Sequence, residues 1–292
     1  MAEGAHSAAG PDAGARPAAL PTGDLPVRRL ETHLEGVRAE GRAALVAYGV
    51  AGYPDRATSL AAFRAMAAAG ADVLEVGPPF SDPLIDGPVI QRAVAAALAR
   101  GIRLDDVLAS CRELSGSVAV PVVLLVYYNL IARRGPERFA RALAEAGVTG
   151  AVVPDLPPEE AGEWLAAAGR AGLAPVFLAA PTSTDQRLAA VGRSARGFVY
   201  AQASLGVTGL RASLAAGVEG LVARVRRHSG LPVCVGIGVS NPAQAGEVAR
   251  FADGVVVGTA LVARLGEAGV GGVGRLTAEL AAAVRAPRPA GR

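Results

Sequence analysis

Glu75 interrupts an apolar run, Val73-Leu74-Glu75-Val76-Gly77, and two aspartates, Asp82 and Asp86, follow within the Pro/Gly-rich segment Pro78 to Pro88. A charge set inside a buried strand is costly unless paired. A partly desolvated carboxyl has a raised pKa, so near neutral pH it can both give and take a proton. An aspartate on a neighbouring, more solvated loop stays ionised and can stabilise positive charge on a substrate. The plain alternative pairs Glu75 with a barrel arginine and uses the aspartates as helix caps. Asp82, in Ser-Asp-Pro, fits either reading.

The other chemistry-bearing residue types are scarce. All 29 basic residues are arginine, which excludes a lysine Schiff base, a pyridoxal-phosphate aldimine or a P-loop lysine on this chain. His6, His33 and His228 lie far apart, as do Cys111 and Cys234, with neither zinc-ligand spacing nor a disulfide framework. A reducing cytoplasm is the expected compartment, and acid–base work falls to carboxylates.

Glycine marks three late segments: Leu205 to Gly209, Gly236 to Ser240 and Gly254 to Thr259. Backbone amides freed of Cβ atoms, beside a helix N-terminus and the hydroxyls of Thr208, Ser240 and Thr259, can cradle a phosphate dianion. Tight turns are the simpler reading of any one of them. Asp155 is either catalytic or a cap. Tyr48, Tyr127 and Tyr200 either line a pocket or fill a core, and Trp164 and the cysteines read as packing.

These residues need elements to hold them. With 292 residues, 51% hydrophobic and 19% charged, the chain can bury a large core. Met1 to Pro26 reads as a disordered Ala/Gly/Pro-rich tail without a signal-peptide apolar region. Residues 27–285 read as one catalytic domain and 286–292 as a short C-terminal tail. After an opening helix, Val27 to Glu40, eight short Val/Ile/Leu-rich strands alternate with helices, beginning at Ala44 to Val50 and ending at Gly254 to Val257. Such strands suit a parallel sheet buried on both faces.

Eight units in this length predict an α/β fold, a single (β/α)8 TIM barrel with an extra N-terminal helix. A doubly wound sheet would carry a dinucleotide fingerprint after its first strand, and none is present there. No run is long and apolar enough to span a membrane. The net charge is +3, and the densest basic spots, Arg133-Arg134 and Arg226-Arg227, lack interleaved aromatics. They read as solvated helix faces, not as a nucleic-acid surface.

Taken together and in order, the stretches Tyr48 to Pro54, Glu75 to Pro88, Pro154 to Pro157, Gly206 to Gly209 and Gly258 to Ala260 resemble the tryptophan synthase alpha subunit family. The resemblance runs from about Leu30 to Leu265. It implies cleavage of indole-3-glycerol phosphate to indole and glyceraldehyde 3-phosphate, a retro-aldol reaction without a Schiff base. By the same resemblance Glu75 is the acid–base group, and Asp86 accepts the indole N–H, with pKa values pushed apart, Glu75 upward and Asp86 downward. Thr208 would hydrogen-bond Asp86 on loop closure. Tyr48, Leu125 and Tyr200 would line the indole pocket, and Gly209, Gly238, Gly258 and Thr259 would hold the phosphate.

Asp82, Pro83 and Asn129 match the family's contact surface for a beta subunit in an alpha2beta2 heterotetramer. The pyridoxal phosphate of that assembly belongs to the beta partner, and no cofactor is expected on this chain. Pro78 and Ser204 depart from the family pattern. Rival readings are a stand-alone lyase releasing free indole, a non-catalytic barrel that regulates a beta-like partner, and a different phosphate-binding barrel.

Overall fold

The computed structural model describes residues 25–286 except 84, 203–210 and 237, with backbone only for 211–216. Its strands are β1 (Ala44–Val50), β2 (Val73–Gly77), β3 (Val122–Leu125), β4 (Gly150–Val152), β5 (Ala174–Val176), β6 (Leu178–Ala179), β7 (Val199–Gln202), β8 (Val233–Gly236) and β9 (Gly254–Val257). All pairings are parallel, in the order β5-β4-β3-β2-β1-β9-β8-β7-β6. Only Phe177 separates β5 from β6, and its carbonyl accepts from Tyr200 N at 3.0 Å. The fifth stave is therefore one interrupted segment through which the ring closes. Eight staves result, as expected of a (β/α)8 barrel.

The helices among the described residues are α1 (Pro26–Ala39), α2 (Arg56–Ala68), α3 (Pro88–Ala99), α4 (Leu104–Ser115), α5 (Tyr128–Arg134) and α6 (Pro136–Glu145). They continue as α7 (Gly162–Ala171), α8 (Asp185–Ser194), α9 (Arg211–His228), α10 (Pro242–Ala249) and α11 (Thr259–Val284). Two of these were not legible in the chain. The seven residues of α5 hide at the end of the apolar run of β3, and Gly217 and Gly220 dilute the helical pattern of α9.

The apolar strand runs conceal a period of two. Along β1, Ala44 and Val46 point into the barrel, whereas Leu45 and Ala47 join the layer under the helices. The same parity puts Val73 and Val123 inside and Leu74, Val76, Val122 and Leu124 outside. Trp164 packs in the outer layer, edge-on to Phe139 at 6.2 Å.

The end of the barrel where the strands begin is sealed. Helix α1 lays Val27, Leu30, Leu34 and Val37 across it, in one cluster with Val46, Val73, Val123, Phe198 and Cys234. Gly197, at φ +75°, makes room for Leu30, whose Cδ2 would lie 2.7 Å from a Cβ there. Buried polar groups tie the strand starts together. Asp72 accepts from Leu45 N at 2.8 Å and from both terminal nitrogens of Arg42 at 2.9 Å. Asp253 likewise accepts from Val233 N at 3.0 Å and pairs with Arg226 at 2.9 Å. Arg226 and Arg227 are both exposed, as expected of a solvated helix face, and Arg226 also reaches inward to Asp253. Arg226 thereby helps to neutralise a buried aspartate.

Because Leu30 is fully buried in the plug, Leu30→Ala is expected to cost about 3 kcal/mol of unfolding free energy in a urea titration. A loss under ~1 kcal/mol would show that α1 does not seal the barrel.

Candidate active site

Glu75 shares the parity of Val73, so its position in β2 sends it into the barrel. In register it lies between Tyr48 of β1 and Val123 of β3. It is 0% exposed, and neither carboxylate oxygen has a hydrogen-bond partner among the described residues. The paired-arginine alternative is not realised there. Burial in apolar surroundings, reinforced by the negative charge of Asp86, pushes its pKa up to about 8.

Asp86 sits on the loop between β2 and α3, half-buried at the mouth of the barrel. Its Oδ2 accepts from the Tyr127 hydroxyl at 3.2 Å, and that hydroxyl in turn accepts from Ile85 N at 3.2 Å. Phe80 stacks on the Tyr127 ring at 5.2 Å, pinning the loop to the end of β3. Burial raises the Asp86 pKa, and the Tyr127 hydrogen bond only partly opposes it. The expected downward shift is thus corrected, although the larger upward shift belongs to Glu75. Neither Asp82 nor Asp86 caps α3, whose N-cap is Gly87 without a side-chain bond.

A cavity of about 340 Å³ opens above these carboxyls, within the size range of small-molecule sites. Tyr48, Leu125 and Tyr200 line it, together with Ile85, Ile90, Leu178 and Val256. Two tyrosines fit because the following strand ends in glycine. The Tyr48 hydroxyl occupies the place a Cβ on Gly77 would take, and the Tyr200 hydroxyl does the same over Gly236. The flank of Tyr48 also lies on Gly258, where a Cβ would meet its Cδ1 at 3.0 Å. Tyr127, Gly77 and Gly236 were not singled out for these roles. For the two glycines the signal is a small residue two places beyond the strand partner of an inward-facing tyrosine, and Tyr127 carries no such signal.

Gly238, Gly258 and Thr259 also line the cavity. Gly238, at φ +107°, turns the chain after β8 where a side chain would be strained. Gly258 is the N-cap of α11, with no side-chain bond, and Thr259 is its first residue. The opening amides of α11 have no partner within the helix. Ser240 does not aim its hydroxyl there; it donates to Gln244 Oε1 at 2.9 Å. Thr208 and Gly209 lie outside the described residues.

Asp82 and Asn129 are exposed, and Pro83 is partly so, on the rim joined by the Phe80–Tyr127 stack. Asp155 takes its capping role, with both oxygens accepting from Tyr128 N, at 2.9 and 3.1 Å, at the start of α5. Among the described residues no group of three or more His, Cys, Asp or Glu gathers in a way that could hold a metal ion.

Residues 34–285 match the family model described as Tryptophan synthase alpha chain. The tryptophan synthase alpha chain of Streptomyces coelicolor is 49% identical over 264 residues, covering 89% of this chain and 97% of that protein. That of Thermobifida fusca is 50% identical over 265 residues, covering 88% and 98%. A crystal structure of tryptophan synthase from M. tuberculosis superposes with a TM-score of 0.82 at 46% identity, over 88% of this chain and 98% of the other. With a barrel and a cavity lined by Glu75, Asp86 and Gly258 in place, the chain belongs to the tryptophan synthase alpha chain family.

Proposed function

We propose that the chain cleaves indole-3-glycerol phosphate to indole and glyceraldehyde 3-phosphate, as the alpha subunit of a cytoplasmic tryptophan synthase. One observation carries the assignment of roles: Glu75, buried and unpartnered among the described residues, sits below Asp86 in a cavity whose other end presents Gly238, Gly258 and Thr259. At neutral pH a carboxyl with a pKa of about 8 is mostly protonated, and so begins as an acid.

Glu75 gives its proton to indole C3. The resulting carboxylate takes the proton of the hydroxyl on the carbon attached to C3. That C–O bond becomes a carbonyl as the C–C bond breaks, and the bonding electrons return to the ring. Glu75 ends as it began, so no lysine amine is required. Asp86 accepts the indole N–H and stabilises the positive charge on the protonated ring, while Tyr127 holds its second oxygen.

The phosphate rests on the turn after β8 and the first amides of α11, and the family resemblance assigns Thr208 to Asp86 and Gly209 to the anion. Tyr48, Leu125 and Tyr200 hold the indole. The outer rim with Asp82, Pro83 and Asn129 faces a beta chain in an alpha2beta2 assembly, and the beta chain carries the pyridoxal phosphate.

The direct test is indole release by the purified chain, alone and with a tryptophan synthase beta chain. Slow release that the beta chain accelerates is expected, and release indifferent to it would make the chain an autonomous lyase. Glu75→Gln is expected to lower kcat by at least ~10³-fold with KM nearly unchanged, because shape is kept and proton transfer is lost. Comparable turnover in that variant removes the role. Gly238→Asp should instead raise KM, by at least about tenfold, through repulsion of the phosphate and strain at positive φ.

The raised pKa also sets a stability signature. Between the ordinary glutamate value and about 8 the folded chain holds a proton that the unfolded chain has lost. Stability from this group is therefore full in acid and is lost as pH rises through that window. Urea unfolding of Glu75→Gln should show stability rising relative to wild type between pH 5 and about 8. A constant difference would place the Glu75 pKa in its ordinary range.

A further inference from the structure

A concave basic surface on the outer wall plays no part in the chemistry at Glu75 and Asp86. Arg133 and Arg134 end α5, and Arg138 and Arg141 follow on α6. With Asp105 on the first turn of α4 and Glu145 at the end of α6, they line a cleft of about 610 Å³. Arg134 pairs with Asp105 at 2.5 Å, and Arg138 Nε donates to the carbonyl of Arg134 at 3.0 Å. The neighbouring Glu137 is taken by Arg170. Among the described residues Arg133, Arg138 and Arg141 have no carboxylate within ion-pair distance. Four guanidinium groups thus accompany two carboxylates, which leaves the cleft with a net positive charge.

The position of the cleft narrows the choice of anion. Helices in this fold return antiparallel to the strands, so the first turns of α4 and α6 lie at the end where the strands finish. Helix α5 begins there too, directly after Tyr127 reaches Asp86, and its first turn presents the exposed Asn129. Arg133 follows Asn129 by about one turn on the same face of α5, so the cleft begins roughly 6 Å along the helix from that rim residue. From Arg138 to Glu145 it follows α6 for about 10 Å at ~1.5 Å per residue, more than one phosphate-sized ion covers. Planar guanidinium forks spaced along a helix suit carboxylates spaced along a peptide.

We infer that this arginine cleft receives an acidic segment of the beta chain, extending the partner surface beyond the rim of the active site. The inference rests on the αβ assembly proposed above. Charge of this kind steers encounter and raises affinity, most at low salt.

The test titrates a tryptophan synthase beta chain into the full-length alpha chain and reads the midpoint of activation of indole release, at low and high salt. Arg133→Glu/Arg141→Glu is compared with wild type, with the milder Arg133→Gln/Arg141→Gln, and with a control of equal charge change. The control is Arg193→Glu/Arg250→Glu, on exposed helix ends at the opposite face. The expected result is a midpoint raised at least about tenfold by the glutamate pair at low salt, with a smaller rise for the glutamine pair. The gap should narrow at high salt, the control should shift less than about twofold, and indole release without the beta chain should be unchanged. Wild-type activation with a glutamate-pair midpoint equal to the control overturns the cleft and leaves the assembly standing. A wild type that the beta chain does not activate overturns both.

Discussion

A carboxyl group held inside an apolar barrel without a donor among the described residues is expensive in free energy, and much of this structure makes sense as the frame that tolerates it. Protonation is the way out. Burial keeps Glu75 neutral to about pH 8, and the nearby negative charge of Asp86 reinforces the effect. A donor placed beside Glu75, which would stabilise the charged form, would return it to the ordinary carboxylate range and remove its use as an acid. Asp86 has the opposite arrangement: half-buried, it has the Tyr127 hydroxyl on one oxygen. Two carboxyls a few residues apart thus differ because one faces the barrel interior and the other its mouth.

The two ends of the barrel divide the labour. Where the strands begin, buried carboxylates are spent on closure: Asp72 with Arg42 and Leu45 N, Asp253 with Arg226 and Val233 N, and α1 as an apolar plug. Where they end, polar groups are left facing a cavity, and glycine supplies the room. Gly77 and Gly236 admit the hydroxyls of Tyr48 and Tyr200, and Gly238 and Gly258 line the same cavity. Stability is concentrated away from the chemistry, which frees the site to hold an unfavourable charge arrangement.

Much of this was legible in the chain because strand–helix alternation is regular and each strand is short. Glu75 stood out as the one charge in an apolar run, and Asp86 followed from its loop. The closure through Phe177 was not legible, since a stave broken at one residue reads as a single strand. Helix α5 was hidden by the apolar run that precedes it. The upward shift at Asp86 could not be read because it depends on how deeply the loop packs, and that is set by the Phe80–Tyr127 stack between two separate segments. Contacts such as Tyr48 with Gly258, far apart in sequence, belong to closure of the ring and not to any local pattern.

The central claim is that Glu75 is a neutral acid at physiological pH, and its carboxyl can be followed directly. Carbon-13 NMR of the glutamate-labelled chain, with Glu75 assigned by its absence in Glu75→Gln, gives its titration curve. A midpoint near pH 8, well above the remaining glutamates, is the result this account predicts. A midpoint near the ordinary glutamate value of 4.5 would mean the group is solvated or paired, and would contradict it.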